Sequence, residues 1–177
     1  GVALGEDQLN TFTLAREVDP TSAFGGILGF NRRGTAQTAE EIVKNFVEAV
    51  VAPGFDPEAL KLFAAKKNVR LMEMPQMESP TNNVKYDLKR IGGGLLVQSP
   101  DTLTYIEDQL KIVSERKPDD REMEDMKFAW VVAKHVKSNA IVYAKDKEIL
   151  GIGAGQMSRV DSARVGVEKA RKPLQGA

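Results

Sequence analysis

The feature that most constrains the fold is an alternation of strands and helices in the first half of the chain. Three short apolar runs bounded by turn residues are typical of buried strands: residues 27–30 (ILGF), 46–52 (FVEAVVA) and 68–74 (NVRLMEM). A helix is predicted in each gap between them. Strands joined by single helices pair in parallel through crossovers, so we expect an α/β fold built on a parallel sheet.

Both helices in those gaps carry start signals. Thr38 with Glu41 three residues later is typical of a capping box, and Asp56 with Pro57 combines an N-cap residue with a proline at the first helical position. In the second helix the apolar spacing predicts four core-facing side chains: Ala59, Leu60, Phe63 and Ala64. Another helix is expected before the first strand, at residues 9–17.

After the third strand the sequence predicts a loop, a strand pair and a hinge. The loop is residues 75–83, and residues 86–97 with their glycine triplet predict a bent strand pair. Residues 102–119 are polar, and the stretch near 114–120, which contains ERKPDD, is the best internal boundary. We therefore expect a first unit at residues 1–117 and a second at residues 118–177.

The second unit begins with a long helix, expected at about residues 120–136. One apolar stripe of this helix is predicted to be core: Met123, Met126 and Trp130. Residues 140–145 (AIVYAK) and 149–153 (ILGIG) predict two strands, and residues 158–170 predict an amphipathic helix.

Composition excludes several classes of function. Lys plus Arg and Asp plus Glu number 25 each, so no net positive charge attracts nucleic acid or an anionic membrane. The absence of cysteine and the single histidine, His135, exclude thiolate and multi-histidine metal sites, and a cysteine-free chain is typical of a reducing, cytoplasmic compartment. No apolar run reaches the roughly 20 residues of a membrane helix. Because the first residue is not Met, we expect a piece of a longer chain.

The glycine-rich stretch GIGAGQMSR, residues 151–159, is the first candidate site. Its spacing does not match the G-x-G-x-x-G fingerprint of nicotinamide enzymes, and no Gly-Lys-Ser/Thr follows as in a P-loop. Glycines before a helix N-terminus suit an anion, and Arg159 would add planar donors. The residues alone favour a plain strand-to-helix corner in which Ser158 caps the helix.

Four other positions have two interpretations on the residues alone. Gly25 in the SAFGG turn either approaches a ligand or only makes the turn. Glu48 interrupts an apolar strand and is either paired in the interior or turned to solvent. Asn139 either ends the long helix or presents its amide to another amide. Lys134 and His135 have the chemistry of an electrophile and a base, but their place near a helix end favours a structural histidine.

Together these segments resemble one family. DPTSAFGGILGFNR, FVEAVVAPGF and VKSNAIVYAKDKEILGIGAGQMSRVDSAR are similar to the formyltransferase part of bifunctional purine-biosynthesis proteins, which join phosphoribosylaminoimidazolecarboxamide (AICAR) formyltransferase to IMP cyclohydrolase. The resemblance runs from residue 1 to about residue 170. It implies cytidine-deaminase-like, three-layer α/β units, one nearly complete and the start of a second.

The resemblance also implies an activity and its ligands. Members transfer a formyl group from 10-formyltetrahydrofolate to the 5-amino group of AICAR without a catalytic metal, as homodimers whose site is shared between subunits. By their places in the motifs, Gly25, Glu48 and Asn139 would contact AICAR, with Asn139 supporting catalysis by holding the carboxamide or the reacting amine. Arg159 and Val160 would lie on the folate side.

Parts of the family pattern are missing from this chain, and we expect the S-D-A-F-F-P-F segment and a C-terminal histidine beyond Ala177. The catalytic Lys-His-x-x-Pro-x-Gly segment of the family precedes the residues that match Gly1, Val2 and Ala3, so we expect it upstream of Gly1. Lys134 and His135 do not match that segment. The resemblance therefore predicts that these 177 residues alone do not transfer formyl groups. The alternative is a non-catalytic nucleotide-binding or dimer-forming module.

Overall fold

The structure is a computed structural model, and it describes residues 1–78 and 86–177. Over these ranges the helices and strands are α1 (Gln8–Glu17), β1 (Gly26–Gly29), α2 (Ala36–Ile42), β2 (Val47–Ala52), α3 (Pro57–Ala64), β3 (Arg70–Glu73), β4 (Asp87–Ile91), β5 (Gly94–Gln98), α4 (Asp120–His135), β6 (Ile141–Lys145), β7 (Glu148–Gly153) and α5 (Arg159–Lys169). Pro75–Glu78 form a short 3₁₀ turn, and the rest of the loop predicted at 75–83 lies outside the described residues.

The first half of the chain forms the predicted parallel sheet. Its strand order is β1–β2–β3, and both neighbouring pairs are parallel. They are parallel because α2 and α3 each return the chain to the end of the sheet at which the preceding strand began. The register aligns Leu28, Val50 and Leu71, which pack into one core with the two helices. The buried members of that core are Phe12, Ala39, Ile42, Val47, Val50, Ala52, Phe55, Ala59 and Phe63. The α/β prediction is confirmed at this level.

The other face of this sheet is open in the described part of the chain. Ile27 is 73% exposed and Met72 is 55% exposed, although both sit in strands. Strand side chains alternate between the two faces, so these residues point away from the face that packs on α2 and α3. Here the structure has two layers, the sheet and one layer of helices.

The start of α2 differs from the sequence prediction. Its N-cap is Thr35, whose Oγ1 accepts a hydrogen bond from the Thr38 N–H at 3.3 Å, while Thr38 lies inside the helix and is buried. Gln8 explains the difference, since its side-chain oxygen accepts the Thr35 N–H at 3.0 Å and holds that residue in the extended conformation of a cap. Asp56 occupies the predicted N-cap of α3, but its carboxylate pairs with Arg33 at 3.7 Å and makes no cap hydrogen bond.

Only half of the predicted inward face of α3 is buried. Ala59 and Phe63 are in the core, whereas Leu60 is 42% exposed and Ala64 is also exposed. Leu60 and Ala64 each follow a buried residue by one position, about 100° around the helix axis. Because α3 packs on one sheet face and on α2, its buried stripe is narrower than the apolar pattern suggests.

The second half of the chain is built around an antiparallel hairpin. β6 and β7 pair through a tight turn at Asp146 and Lys147, both with positive φ, and α4 and α5 pack on them. Their core contains Val18, Phe128, Val132 and Ile149. The strands and helices predicted at residues 120–170 are therefore confirmed.

The beginning of the chain joins this second core. Ala3 forms an antiparallel bridge with Glu148, and the N–H of Ile149 donates to the carbonyl oxygen of Val2 at 3.0 Å. Val18, directly after α1, lies in the same core as Ile149. The boundary expected near residue 117 stays a prediction, but the first residues pack with the strands of the expected second unit.

The predicted core stripe of α4 is wrong. Met126 is 49% exposed and Trp130 is 62% exposed, with Met123 half-buried, whereas the buried residues are Phe128 and Val132. Trp130 lies about 200° around the helix from Phe128, on the side away from the β6–β7 hairpin. Its indole N–H donates to the carbonyl oxygen of Thr104 at 2.7 Å, so the stripe covers residues 104–118 instead of the core.

No helix in the described ranges has the length and apolar character needed to cross a membrane.

Candidate ligand-binding cleft

Two glycines of the GIGAGQMSR stretch serve the packing of a helix on a strand. A Cβ atom on Gly151 would overlap the carbonyl oxygen of Gly166, and one on Gly153 would overlap the carbonyl oxygen of Ser162. Both overlapped oxygens belong to α5, which crosses directly over β7. Gly151 and Gly153 therefore let the helix backbone touch the strand, a use that needs no ligand.

The corner after these glycines follows the plain interpretation. Gly155 turns the chain and donates its N–H to the carbonyl oxygen of Lys137 at 2.8 Å. Ser158 caps α5: its Oγ accepts the Asp161 N–H at 3.1 Å and donates to the Asp161 carboxylate at 2.6 Å. The predicted cap is confirmed. Arg159 and Val160 then begin α5 as exposed residues, at the end where helix N–H groups favour an anion.

Asn139 is bound to this corner. Its Nδ2 donates to the carbonyl oxygens of Gln156 and Met157 at 3.2 and 2.9 Å, and its backbone oxygen accepts from the buried Ser162 Oγ at 2.6 Å. The α4 helix ends earlier, with Val136 as its C-cap, so Asn139 does not end that helix. Both donors of the amide are used within the protein, and the side-chain oxygen has only a marginal 3.5 Å contact from Ser138. An acceptor held by two hydrogen bonds on its own amide is suited to receive an N–H from a ligand.

Gly25 requires the backbone freedom of glycine. Its φ is +69°, and its N–H donates to the carbonyl oxygen of Phe46 at 3.0 Å. A Cβ at this position would also come within 3.2 Å of the Phe46 ring. The SAFGG turn is thereby fixed to the start of β2, with Phe24 and Phe46 packed ring to ring at 4.9 Å.

Glu48 occupies an irregular position in β2. The β1–β2 register passes from Gly26 with Val47 to Ile27 with Ala49, so Glu48 is left without a partner in β1. Its side chain is 46% exposed and accepts a hydrogen bond from Arg70 of β3 at 2.7 Å. The carboxylate is therefore paired and solvent-accessible, beside the SAFGG turn.

A cleft of about 690 Å³ lies between the two halves of the chain. Residues on one wall belong to α1, the SAFGG turn and the start of β2, and those on the other to β7, the corner and α5. Gly26 and Val47 line it and are the chain neighbours of Gly25 and Glu48, while Gln156 lines it and binds Asn139. The three residues predicted to contact AICAR therefore do not line the cleft themselves, but each lies one chain position or one hydrogen bond from a residue that does.

The remaining predicted residues are only loosely connected to this cleft. Arg159 and Val160 do not line it, but they begin α5, whose Val165 and Lys169 do. Two lining residues, Asp19 and Lys169, were not found by sequence reasoning. They form an ion pair across the cleft at 2.6 Å. Nothing in the sequence relates two charged residues that are 150 positions apart.

Of the Lys134–His135 pair, Lys134 serves the structure at the end of α4. Lys134 Nζ donates to the carbonyl oxygens of Asp101 and Leu103, both at 2.8 Å, and so holds the stretch before the long helix. His135 is the last residue of α4 and is exposed, where a helix C-terminus favours positive charge. Across residues 1–78 and 86–177, no cluster of three or more His, Cys, Asp or Glu side chains is placed to hold a metal ion.

Comparison with known proteins identifies the family. The family model described as AICARFT/IMPCHase bienzyme matches residues 1–169. The bifunctional purine biosynthesis protein PurH of Magnetococcus marinus is 52% identical over 172 residues, which cover 97% of this chain and 32% of the relative. That of Polynucleobacter asymbioticus is 54% identical over 170 residues, covering 96% and 32%. That of Neisseria meningitidis is 51% identical over 172 residues, covering 97% and 32%.

The match covers this chain almost from end to end but only a part of each relative. The chain spans about a third of the length of the curated relatives it matches. Identity above 50% over more than 95% of the chain, together with the family match over residues 1–169, leads to one conclusion: the chain belongs to the AICARFT/IMPCHase bienzyme family.

Proposed function

We propose that the protein containing this chain transfers the formyl group of 10-formyltetrahydrofolate to the 5-amino group of AICAR, giving formyl-AICAR on the way to IMP. Family membership over residues 1–169 is the observation that carries this proposal. In the reaction the bond from the formyl carbon to N10 of the folate breaks and a bond to the AICAR nitrogen forms. The amine loses a proton, and N10 gains one.

On the AICAR side, three residues offer complementary chemistry. Gly25 allows the φ of +69° that shapes the SAFGG turn, and we propose that backbone groups of this turn contact AICAR. Glu48 supplies an accessible carboxylate, which the hydrogen bond from Arg70 at 2.7 Å orients. Asn139 presents its oxygen toward an N–H of the carboxamide or of the reacting amine.

On the folate side, Arg159 and Val160 offer charge and apolar surface. Folates carry carboxylates on their glutamate tail, and a guanidinium binds a carboxylate through two parallel hydrogen bonds. The N-terminus of α5 adds partial positive charge at the same place. Val160 is 59% exposed and supplies an apolar surface for a flat ring.

The cleft of about 690 Å³ has the size of a site for a small organic ligand.

The proposed chemistry also needs groups that these 177 residues do not supply. The amine of AICAR is a weak nucleophile, and we place its Lys-His base and electrophile upstream of Gly1. Each such group contributes roughly 10²–10⁴ in rate. We propose, on the family resemblance, that no metal takes part. With one histidine and no cysteine, these 177 residues supply no deaminase-type zinc site of their own.

The proposal extends to architecture and partners. We propose cytidine-deaminase-like units with a third layer, which is supported by the open apolar face at Ile27 and Met72. We also propose a cytoplasmic homodimer that acts on small molecules rather than on nucleic acid or membranes. The balance of 25 basic and 25 acidic residues supports the last point.

One experiment compares the full-length protein with the 177-residue chain. Formyl transfer is followed through the absorbance of tetrahydrofolate, and binding is followed by calorimetric titration with AICAR monophosphate. We expect turnover by the full-length protein and none above buffer background by the 177 residues. Turnover by the short chain would refute the upstream location of the Lys-His pair.

The cleft in this chain also gives weight to one alternative, a nucleotide-binding module without catalysis. Tight binding of AICAR by a full-length protein that transfers no formyl group would favour that alternative over the proposed function.

A further inference from the structure

A single lysine joins the two walls of the cleft. Lys169 is the last residue of α5, and its Nζ donates to Asp19 Oδ2 at 2.6 Å and to Ser22 Oγ at 3.1 Å. Asp19 also accepts from the Ser22 hydroxyl at 2.7 Å and from the Ser22 N–H at 3.1 Å. Because Ser22 is the first residue of the SAFGG turn, this network connects α5 to the turn that carries Gly25.

Both ends of the network are fixed to well-packed parts of the fold. Asp19 follows Val18, which is buried in the core with Phe128 and Ile149. Lys169 ends α5, whose backbone lies directly on the glycines of β7. A tie between two anchored points limits how far the walls between them move apart, whereas a pair between two free side chains would limit nothing.

The charges and the partial burial of Asp19 and Lys169 favour a stable ion pair. Asp19 has a side chain only 23% exposed, and Lys169 is 48% exposed. Burial raises the pKa of the Asp19 carboxyl, but the hydrogen bonds from Lys169 and Ser22 and the lysine charge outweigh it and lower that pKa to about 2. The carboxylate therefore remains charged throughout the physiological pH range.

We propose that Asp19 and Lys169 are positioning residues that set the width of the cleft. They thereby set the distance between the AICAR residues near Gly25 and the folate residues at the start of α5. This inference rests on the formyl transfer proposed above. Neither residue needs to touch a substrate. They act by holding the SAFGG turn against α5, so that two bound substrates meet in a reactive geometry. A displacement of about 1 Å in such a geometry is enough to cost on the order of 100-fold in rate.

The test uses the full-length protein with Asp19→Asn and Lys169→Met, the latter keeping the aliphatic stem of the lysine. Lys169→Arg is the conservative variant, because it keeps the charge and the reach to Asp19. Glu41→Gln is the matched control, since it removes a 2.8 Å ion pair between the end of α2 and Lys44, two residues after that helix, which joins no distant segments. Each variant is assayed for kcat, for KM of both substrates, and for calorimetric affinity of AICAR monophosphate alone.

We expect Asp19→Asn and Lys169→Met to lower kcat by about 10- to 100-fold, while the affinity for AICAR alone stays within about twofold. Lys169→Arg should recover most of the rate, and Glu41→Gln should match the parent. A kcat within twofold of the parent in both pair-breaking variants would overturn the proposal. So would a loss in Lys169→Met that Lys169→Arg does not reverse.

Amide hydrogen exchange separates this inference from the proposed function. Asp19→Asn and Lys169→Met should both speed exchange at residues 20–26 and 159–169, whereas Glu41→Gln should leave these segments unchanged. If the parent protein transfers no formyl group, the proposed function fails, but the exchange comparison still decides whether the pair holds the two walls together. If hydrogen exchange in both segments is unchanged in Asp19→Asn and Lys169→Met, the ion pair does not hold the two walls together and the proposal is overturned.

Discussion

The two antiparallel hairpins in the described part of the chain both carry leucine, isoleucine and valine, but they differ greatly in burial. In β6–β7, Ile149 is fully buried and Leu150 is 6% exposed, whereas in β4–β5 Leu88 and Leu95 are about 60% exposed. All ten strand residues of β4–β5 are exposed. The difference lies in what covers each hairpin: α4 and α5 pack on β6–β7, and no described helix packs on β4–β5. A strand pattern therefore predicts a strand, while burial depends on the element that covers it.

Glycines explain why α5 fits so closely on one hairpin. Gly151 and Gly153 of β7 face backbone oxygens of the helix, whereas Gly92 and Gly94 of the other hairpin have open space where a Cβ would stand. Glycine therefore permits close packing of a helix on β6–β7, whereas in β4–β5 it only forms the turn region. Substitutions at these glycines give the sharpest test of the comparison.

The largest effect is expected for Gly153→Val. Its side chain would collide with the backbone of α5 at Ser162, and a backbone contact cannot be relieved by a change of rotamer. We expect a loss of about 3 kcal/mol or more in the free energy of unfolding, measured by urea denaturation. Gly94→Ala in the exposed hairpin is the control and should change stability by about 0.5 kcal/mol or less. Equal losses at the two positions would contradict the packing role of Gly153.

Truncation of a buried strand residue should have the next largest effect. Ile149→Ala removes a fully buried side chain from the core shared with Phe128 and Val132, which should cost about 2–5 kcal/mol in stability. Leu95→Ala in the 177-residue chain should cost less than about 1 kcal/mol, because its side chain is already exposed. Thermal unfolding of the two variants measures the difference. A similar cost for both would mean that β4–β5 is covered in solution.

A smaller effect is expected at the hydrogen bond beneath the site. Ser162 is fully buried and donates to the backbone oxygen of Asn139 at 2.6 Å, so it links α5 to the strand pair and to the candidate AICAR residue. Ser162→Ala leaves that carbonyl with only the long 3.4 Å hydrogen bond from the Gln156 N–H and should cost about 1–2 kcal/mol in stability. In the full-length enzyme it should also raise the KM for AICAR. A variant with reduced stability and unchanged KM would separate the packing role of Ser162 from the site.

The smallest effect should come from acid titration of the tie between α5 and the SAFGG turn. The pKa of Asp19 falls from 3.8 to about 2 in the folded protein, so its stabilisation is fully present above pH 4 and is lost as pH falls through 2. Because Lys169 is half exposed, we expect about 1 kcal/mol at neutral pH. Thermal midpoints of the parent and of Asp19→Asn should therefore differ at pH 6 and converge toward pH 2. A constant difference across this range would exclude the carboxylate as the cause.

The sequence predicted most elements but not all of their roles. The parallel sheet and the N-cap positions of Asp56 and Ser158 follow from local pattern and appear as predicted, although only Ser158 makes the cap hydrogen bond. The α2 cap moved to Thr35 because Gln8, distant in sequence, binds that residue. The stripe of Met126 and Trp130 looked like core because periodicity identifies an apolar face without saying what lies against it.

Some features of the candidate site could likewise be predicted from the sequence, and others could not. The motifs around Gly25, Glu48, Asn139, Arg159 and Val160 were recognisable in the sequence, and the cleft adjoins the first three. The packing role of Gly151 and Gly153 became visible only with α5 in place. The roles of all five motif residues in binding stay predictions.

By itself the sequence determined the α/β class, the positions of strands and helices, and membership of the family, because these depend on residues that are neighbours in the chain. Only the tertiary structure decided which hairpin is buried, why the glycines of β7 are needed, and that Asp19 meets Lys169. Those outcomes depend on the path that brings distant segments together, and no local pattern of residues records that path.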